Sequence, residues 1–200
     1  MAIPAPAADP ELPNLRADVV AGYRDAAPHT VAEVIDGELV TMPRPRPRHA
    51  RGAGRLLRSL APFDDDDGVP GGWVILFEPE LRLGRLPDIV DPDLAGWRRE
   101  RFPEDAFEDA APAYLTVPPD WVCEVLSDST ESIDRGRKMR IYRREGVKHV
   151  WLLDPRASIL EVWRLDDGRW REVDTWEGAA RVRAEPFEAV ELDLTRLWAR

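Results

Sequence analysis

The feature that most constrains the fold is an acid inside an apolar run, Glu124 in the segment Trp121 to Leu126 (WVCEVL). A short run of this kind is typical of a strand that is buried on both faces. When such a strand packs, the carboxylate loses its hydration and destabilises the fold unless a cation or hydrogen-bond donors compensate. The run therefore predicts a β-sheet with a compensated acid at its centre.

The chain has 200 residues, of which 44% are hydrophobic, so it can bury one substantial core. We expect a single domain over residues 20–200, preceded by an N-terminal arm over residues 1–19 that is rich in proline and either flexible or docked. The arm lacks the features of a signal peptide, and no run reaches the roughly 18 apolar residues of a membrane span. The single Cys123 excludes an internal disulfide framework and fits a core residue. A cytoplasmic protein without a membrane partner is expected.

The formal net charge of −10 argues against a protein that coats nucleic acid, because phosphate binding depends on clustered lysine and arginine. The distribution is uneven, with acids at Asp64 to Asp67 and Glu104 to Asp109, and bases at Arg44 to Arg51, Arg98 to Arg101 and Arg135 to Arg144. Both a locally positive cleft and ordinary mixed surfaces are compatible with this pattern.

Strand and helix patterns alternate along the chain. Asp36-Gly37 between β-prone runs predicts a hairpin over 31–42, and apolar spacing predicts helices over 49–60 and 133–145, the second ending at Gly146. Further strands are predicted over 73–83, 89–97, 121–126, 149–154, 158–165 and 169–176. The order predicts an α/β (α+β) fold in which a mixed β-sheet is flanked by helices, with β-hairpins towards the N-terminal and C-terminal ends.

Asp93 and Glu124 are predicted on separate strands, from which both can project on the same side of the sheet. Two such carboxylates form a hard-oxygen site that suits Mg²⁺ or Mn²⁺, and a metal there can polarise a phosphate and lower the pKa of a bound water. Lys138 on the next helix is available to position or activate that water or to offset charge on the phosphate, with Tyr142 hydrogen-bonded to it. The pattern predicts metal-dependent phosphodiester hydrolysis.

Other residues are candidates for the same site. Asp91 shares a strand face with Asp93, either as a further metal ligand or as an electrostatic burden, and Pro87-Asp88 competes with Pro92-Asp93 for the first catalytic acid. Each residue taken alone is more often structural. The remaining candidates are Glu38, Glu78, Glu80 and His49, and the arginines expected to reach towards a phosphate backbone are Arg137, Arg140 and Arg144.

These segments resemble the Uma2 family of endonucleases over about residues 20–200. The resemblance is carried by Val34 to Val40, His49 after Pro47-Arg48, Pro92 to Arg101, Glu124 to Ser127, Lys138 to Tyr142 and Gly146 to Pro155. It implies the restriction-endonuclease-like fold of the PD-(D/E)XK superfamily, Mg²⁺-dependent hydrolysis and often a homodimer.

The resemblance further implies that Asp93 and Glu124 are the metal ligands and that Lys138 is the catalytic lysine. The superfamily pattern has its lysine two residues after the second acid, where this chain has Leu126. The resemblance therefore implies that Lys138 takes that place from the next helix.

Three functions remain compatible with the sequence. The preferred one is a DNA endonuclease. The second is a noncatalytic binding or assembly protein with the nuclease fold, in which the acids pair with Lys138; the acidic net charge favours it. The third is an RNA-directed nuclease. Hairpin strands towards both ends offer free edges, which predicts a homodimer.

Overall fold

A computed structural model of the protein describes residues 12–64 and 70–198. The helices are α1 (Ala17–Arg24), α2 (Pro47–Asp64), α3 (Glu131–Ile133), α4 (Met139–Glu145) and α5 (Thr195–Trp198). A 3-10 turn covers Arg99–Arg101, and a π-helical turn covers Asp134–Lys138. The strands are β1 (Thr30–Ile35), β2 (Glu38–Pro43), β3 (Trp73–Phe77), β4 (Leu81–Leu83), β5 (Asp88–Val90), β6 (Leu94–Arg98), β7 (Trp121–Val125), β8 (His149–Asp154), β9 (Ile159–Asp166), β10 (Arg169–Glu177), β11 (Arg181–Val182) and β12 (Leu192–Asp193).

A six-stranded sheet in the order β10-β9-β8-β7-β6-β3 forms the centre of the molecule. Strands β7 and β8 are parallel, and the other neighbours in this sheet are antiparallel. Side chains of α2, such as Leu56, pack with Trp121 and Cys123 on one face, whereas Ile141 of α4 packs with Val122 on the other. The predicted mixed sheet flanked by helices is confirmed.

A second sheet of four strands, in the order β2-β1-β5-β4, contains the predicted N-terminal hairpin. Its turn uses Asp36 and Gly37 with φ of 55° and 76°, values that an Asp-Gly pair adopts readily. The hairpin of β9 and β10 closes in the same way through Asp167 and Gly168, with φ of 47° and 70°. Both predicted hairpins are confirmed.

Two predicted strands, over 73–83 and 89–97, are wrong as continuous elements, because each is split between the two sheets. The first breaks at Glu78, whose φ is 46°, and the second breaks at Asp91-Pro92-Asp93, where proline provides no donor for a ladder. The breaks lie side by side, since Glu78 N–H donates to the Asp93 carbonyl at 3.1 Å. Asp93 is therefore at a junction between the sheets and not in the middle of a strand.

The helix predicted over 133–145 is also irregular, because α3 and α4 are joined by the π-helical turn. Its predicted end is correct: Gly146 follows α4 in the left-handed conformation, with φ of 79°. A π-helical turn contains one more residue than an α-helical turn and rotates the side chains that precede it relative to those that follow.

The N-terminal arm is described only from Leu12 onwards, and residues 1–11 lie outside the described residues. Leu12, Leu15 and Val19 are buried in a cluster with Val34 and Ile89, so this part of the arm is docked. Within residues 12–64 and 70–198, no helix has the length and apolar character needed to cross a membrane.

Candidate active site

A cavity of about 670 Å³ opens where the two sheets meet, between α2 and the π-helical turn. Its walls come from segments that are distant in sequence: β1, the start of α2, the two strand breaks, the end of β7 and the π-helical turn. Its acidic lining residues are Glu33, Glu78, Asp91, Asp93, Glu124, Asp128 and Asp134. The cavity thus gathers acids that the fold would otherwise keep apart.

Asp93 is fixed in this cavity by two contacts. Its Oδ2 accepts a hydrogen bond from the backbone N–H of Val125 at 2.8 Å, and its Oδ1 lies 3.3 Å from His49 Nε2. Burial opposes protonation of His49, but the hydrogen bond and charge of Asp93 outweigh it and raise the pKa of the imidazole. Asp93 is therefore held against the end of β7, the strand that carries Glu124.

Glu124 is buried on β7, on the face of the sheet that α4 covers. Tyr142 donates its hydroxyl hydrogen bond to Glu124 Oε1, and Lys138 Nζ lies 3.3 Å from the same oxygen. Burial raises the pKa of the Glu124 carboxyl well above its usual range, as do the charges of Asp134 and Asp93, while Lys138 opposes the rise. The expected bond from Tyr142 to Lys138 is wrong, because the phenol binds the acid instead.

Lys138 is buried at the end of the π-helical turn, with its side chain only 4% exposed. Its Nζ lies 2.9 Å from Glu33 Oε1, 3.3 Å from Glu124 Oε1 and 3.4 Å from Asp134 Oδ1. Burial lowers the pKa of the ammonium, but the three carboxylates outweigh burial, so its pKa is well above the usual value. Lys138 is therefore a protonated cation surrounded by acids.

Glu33 and Asp134 belong to this cluster and were missed by sequence reasoning. Glu33 lies on β1, where an acid among Val31, Ala32 and Val34 gives the same signal as Glu124 in its apolar strand. Its Oε1 also accepts from the backbone N–H of Asp91 at 2.9 Å. Asp134 stands four residues before Lys138, which is an ordinary spacing for a helical ion pair.

Comparison with known proteins gives a family to this arrangement. The sequence profile of Uma2, described as "Putative restriction endonuclease", matches residues 23–195. The chain belongs to the Uma2 family. The crystal structure of a "putative nuclease belonging to DUF820" from Anabaena variabilis is similar, with a TM-score of 0.66 and 18% identity over 84% of this chain and 89% of that chain. No curated protein matches.

The predicted resemblance to Uma2 is confirmed, and the family supports a nuclease, a hydrolase of phosphodiester bonds. Asp93, Glu124, Lys138 and Asp91 lie in one cavity of this Uma2 protein, and their chemical roles stay predictions. Leu126, at the usual superfamily position for lysine, is buried at the cavity wall and Lys138 provides the cation from the π-helical turn.

Asp91 is half-buried and lines the same cavity as Lys138 and its acids. Burial raises the pKa of its carboxyl to about 7, and the charges of Glu33 and Glu80 contribute. Its Oδ1 is buried without a hydrogen-bond partner. Burial also raises the pKa of Glu78, another lining residue, with a further contribution from Asp93.

Three of the other candidate acids do not line the cavity. Asp88 accepts hydrogen bonds from the backbone N–H of Asp36 and from Arg144, which makes it a structural acid and favours Asp93 in the competition for the first catalytic position. Glu80 binds Tyr23 and Arg82, at 2.8 Å and 2.7 Å. Glu38 is exposed and lies 3.0 Å from an Arg137 nitrogen.

Arg140 and Arg144 are exposed on the helix that covers the site, whereas Arg137 is half-buried. Arg137 pairs with Asp36 and Glu38, Arg140 approaches Asp36 at 3.5 Å, and Arg144 pairs with Asp88 and Glu145. Acids of the hairpin turn and of β5 thus pair with part of this basic segment. The expectation that these arginines contact a phosphate backbone stays a prediction.

The donors in the Uma2 cavity fit a hard divalent cation. Carboxylate oxygens of Glu33, Asp91 and Asp134 are buried there without hydrogen bonds, and oxygen donors suit Mg²⁺ or Mn²⁺. Within the described part of the chain, no three His, Cys, Asp or Glu side chains are grouped to hold a metal by themselves. Mg²⁺ commonly takes one or two carboxylates and completes its shell with water and substrate phosphate, so two acids of this cavity would be a sufficient protein contribution.

Proposed function

We propose that this protein is a metal-dependent endonuclease that hydrolyses phosphodiester bonds in DNA, with Asp93 and Glu124 as ligands of Mg²⁺ or Mn²⁺ and Asp91 as an additional acid. The observation that supports this most strongly is that Asp93, Glu124 and Lys138 share one cavity although three separate segments carry them. The restriction endonuclease description of the family supports DNA as the substrate.

The residues have distinct tasks in the proposed reaction. A bound divalent cation would supply Lewis-acid polarisation of the phosphate and a lowered pKa for the attacking water. Asp93 is pre-oriented because the Val125 N–H holds Oδ2, and Glu124 is pre-oriented because Tyr142 holds Oε1. Both carboxylates therefore need little rearrangement to bind a cation.

Lys138 acts in this proposal as a hydrogen-bond donor and a fixed positive charge. Burial lowers the pKa of the Lys138 amine, but three carboxylates around Nζ raise it above its usual value and favour the protonated form. A protonated Lys138 can orient the water or stabilise negative charge that develops on the phosphate.

A homodimer and a cytoplasmic location complete the proposal. The hairpin strands β10 and β2 are the outer strands of the large and the small sheet, and their edges support pairing between protomers. The single buried thiol of Cys123 is compatible with a reducing compartment. Light scattering on the purified protein would measure the dimer directly.

The test is cleavage of supercoiled plasmid by the purified protein in Mg²⁺ or Mn²⁺. We expect nicking that EDTA abolishes and that falls at least about a hundredfold in Glu124→Gln and Asp93→Asn, because each removes an anionic metal ligand. Glu177→Gln is the matched control, since Glu177 is exposed on β10 away from the cavity. Nicking that persists at the wild-type rate in Glu124→Gln would refute the proposed site.

A second function, a noncatalytic binding or assembly protein, is favoured by one specific observation. The three carboxylates around Lys138 Nζ form a buried ion-pair cluster, so a side chain of the protein itself compensates them. Cleavage assays in Mg²⁺ and in Mn²⁺ separate the two functions, because this alternative requires that neither DNA nor RNA is cut. An RNA substrate tested beside the plasmid distinguishes the third function, an RNA-directed nuclease.

A further inference from the structure

The segment that leads into the cavity alternates proline with arginine: Pro43-Arg44-Pro45-Arg46-Pro47-Arg48. This segment, which we name the arginine strap, runs from the last residue of β2 to the first turn of α2. The side chains of Arg44, Arg46 and Arg48 are exposed and line the cavity. His49, which contacts Asp93, follows the strap directly.

The prolines restrict the backbone of the strap. Each proline fixes its own φ, and each residue that precedes a proline is confined to extended conformations, which applies to Arg44 and Arg46. Both ends are anchored as well, one in the hairpin and one in α2. The guanidinium groups are therefore presented from a backbone that loses little conformational entropy on binding.

The charges of Arg46 and Arg48 in the strap are available for a ligand. Among the described residues, the guanidinium groups of Arg46 and Arg48 form no ion pair or hydrogen bond, and that of Arg44 contacts only the Pro28 carbonyl at 3.4 Å. By contrast, Arg156 at the cavity wall pairs with Asp128, Glu131 and Asp154.

A phosphate ligand of this cavity needs positive charge at the rim, because the floor is acidic. The acids Glu33, Asp91, Asp93, Glu124 and Asp134 lie there, with Lys138 as the compensating cation, so a polyanion that approaches meets repulsion. Free arginines at the rim offset that repulsion before the ligand reaches the floor. Because the overall charge is −10, such a local positive edge favours the approach of a phosphate ligand.

We propose that the arginine strap is a phosphate-binding site that holds the backbone of a nucleic acid strand at the mouth of the cavity through Arg46 and Arg48. The inference rests on the proposed nuclease function and adds the surface by which the substrate is held. Contacts to phosphates fix register and carry no base information, so the strap confers affinity without sequence preference.

The test measures binding of fluorescent DNA and RNA duplexes of equal length by anisotropy, over a range of salt concentrations, with Ca²⁺ in place of Mg²⁺ so that binding is separated from cleavage. For the Arg46→Ala/Arg48→Ala variant, we expect weaker binding and a slope of log affinity against log salt that is smaller by about 1 to 2. The Arg46→Lys/Arg48→Lys variant should keep the wild-type slope. The matched control is Arg58→Ala/Arg143→Ala, which removes two exposed arginines outside this cavity.

Each result decides the inference. An unchanged slope in Arg46→Ala/Arg48→Ala, with a melting temperature equal to that of wild type, overturns it, and so does a wild type that binds neither duplex. An equal loss of slope in the control variant also overturns it. A strap-dependent slope without cleavage in Mg²⁺ or Mn²⁺ supports the strap and refutes the nuclease function, so the two failures are distinguishable. The duplex that shows the larger loss of slope identifies DNA or RNA as the bound strand.

Discussion

At the scale of single residues, the cluster around Lys138 has more acids than its one cation can neutralise. Glu33, Glu124 and Asp134 all contact Nζ, and Asp93 is close enough to raise the pKa of the Glu124 carboxyl. Buried ion pairs add little net stability, but removal of one partner leaves an uncompensated charge that destabilises the fold strongly. Removal of the one cation should therefore destabilise the fold more than removal of one of the acids.

Lys138→Met should lower the free energy of unfolding by about 3 kcal/mol or more at neutral pH, because buried carboxylates lose their cation. Glu33→Gln should change it by less than about 1 kcal/mol, because it removes excess negative charge while the amide can still accept the Asp91 N–H. Urea denaturation of both variants measures the difference. Equal losses in the two variants would contradict this account of the cluster.

Tyr142→Phe removes the hydroxyl that donates to Glu124 while it keeps the ring in the core. The lost hydrogen bond to a buried acid should destabilise the protein by about 1 to 3 kcal/mol. It should also lower kcat for plasmid nicking more than it raises KM, because the phenol orients an acid and does not contact substrate. A variant with wild-type kcat would show that Lys138 alone is enough to position Glu124.

At the scale of elements, the π-helical turn Asp134–Lys138 sets the direction of Lys138. Deletion of Gly136 should convert the turn to an α-helix, which reduces the spacing of Asp134 and Lys138 from four residues to three and displaces their side chains relative to each other. We expect a folded protein with a helical circular dichroism spectrum but with no metal-dependent nicking. Gly136→Ala is the matched control, since a Cβ at Gly136 meets no atom within 4 Å and the length of the turn is preserved. Nicking by the deletion variant would show that the turn is irrelevant to the site.

The elements also show which parts of the molecule can be predicted from sequence. The β7 strand, both hairpins and the helix end at Gly146 were predicted because periodicity, Asp-Gly turns and a C-terminal glycine act over a few residues. The splitting of two predicted strands depends on which sheet each half joins. That choice is made by pairing with strands that are distant in the sequence, so local patterns do not predict it. The π-helical turn and Glu33 were missed because their significance comes from contacts between β1 and the helix.

At the scale of the whole molecule, His149 joins the large sheet to the C-terminal segment. Its Nε2 lies 3.3 Å from Glu185 Oε2, and Trp151 Nε1 donates to the Glu185 carbonyl at 2.7 Å. Burial lowers the pKa of His149 below 6.5, and the hydrogen bond and charge of Glu185 only partly oppose this. The folded state therefore favours the neutral imidazole.

His149 makes the protein less stable at acidic pH. Above pH 6.5 the imidazole is neutral in both states, and as pH falls below that value the unfolded chain takes up the proton more readily, so stability is lost. Between about pH 7.5 and about pH 5.5, we expect the melting temperature of wild type to fall by about 2 °C more than that of His149→Gln. Calorimetry of both proteins measures this, and equal falls would contradict the role of His149.

The position of the cation on a separate helix also affects motif searches for such proteins and the construction of chimaeras from them. Glu124 and Lys138 are 14 residues apart, so a motif search that requires an acid, one intervening residue and a lysine passes over this chain. A chimaera with a crossover between β7 and α3 would take its carboxylate from one parent and its ammonium from the other. Libraries made from divergent parents should therefore keep residues 124–142 as one inherited block.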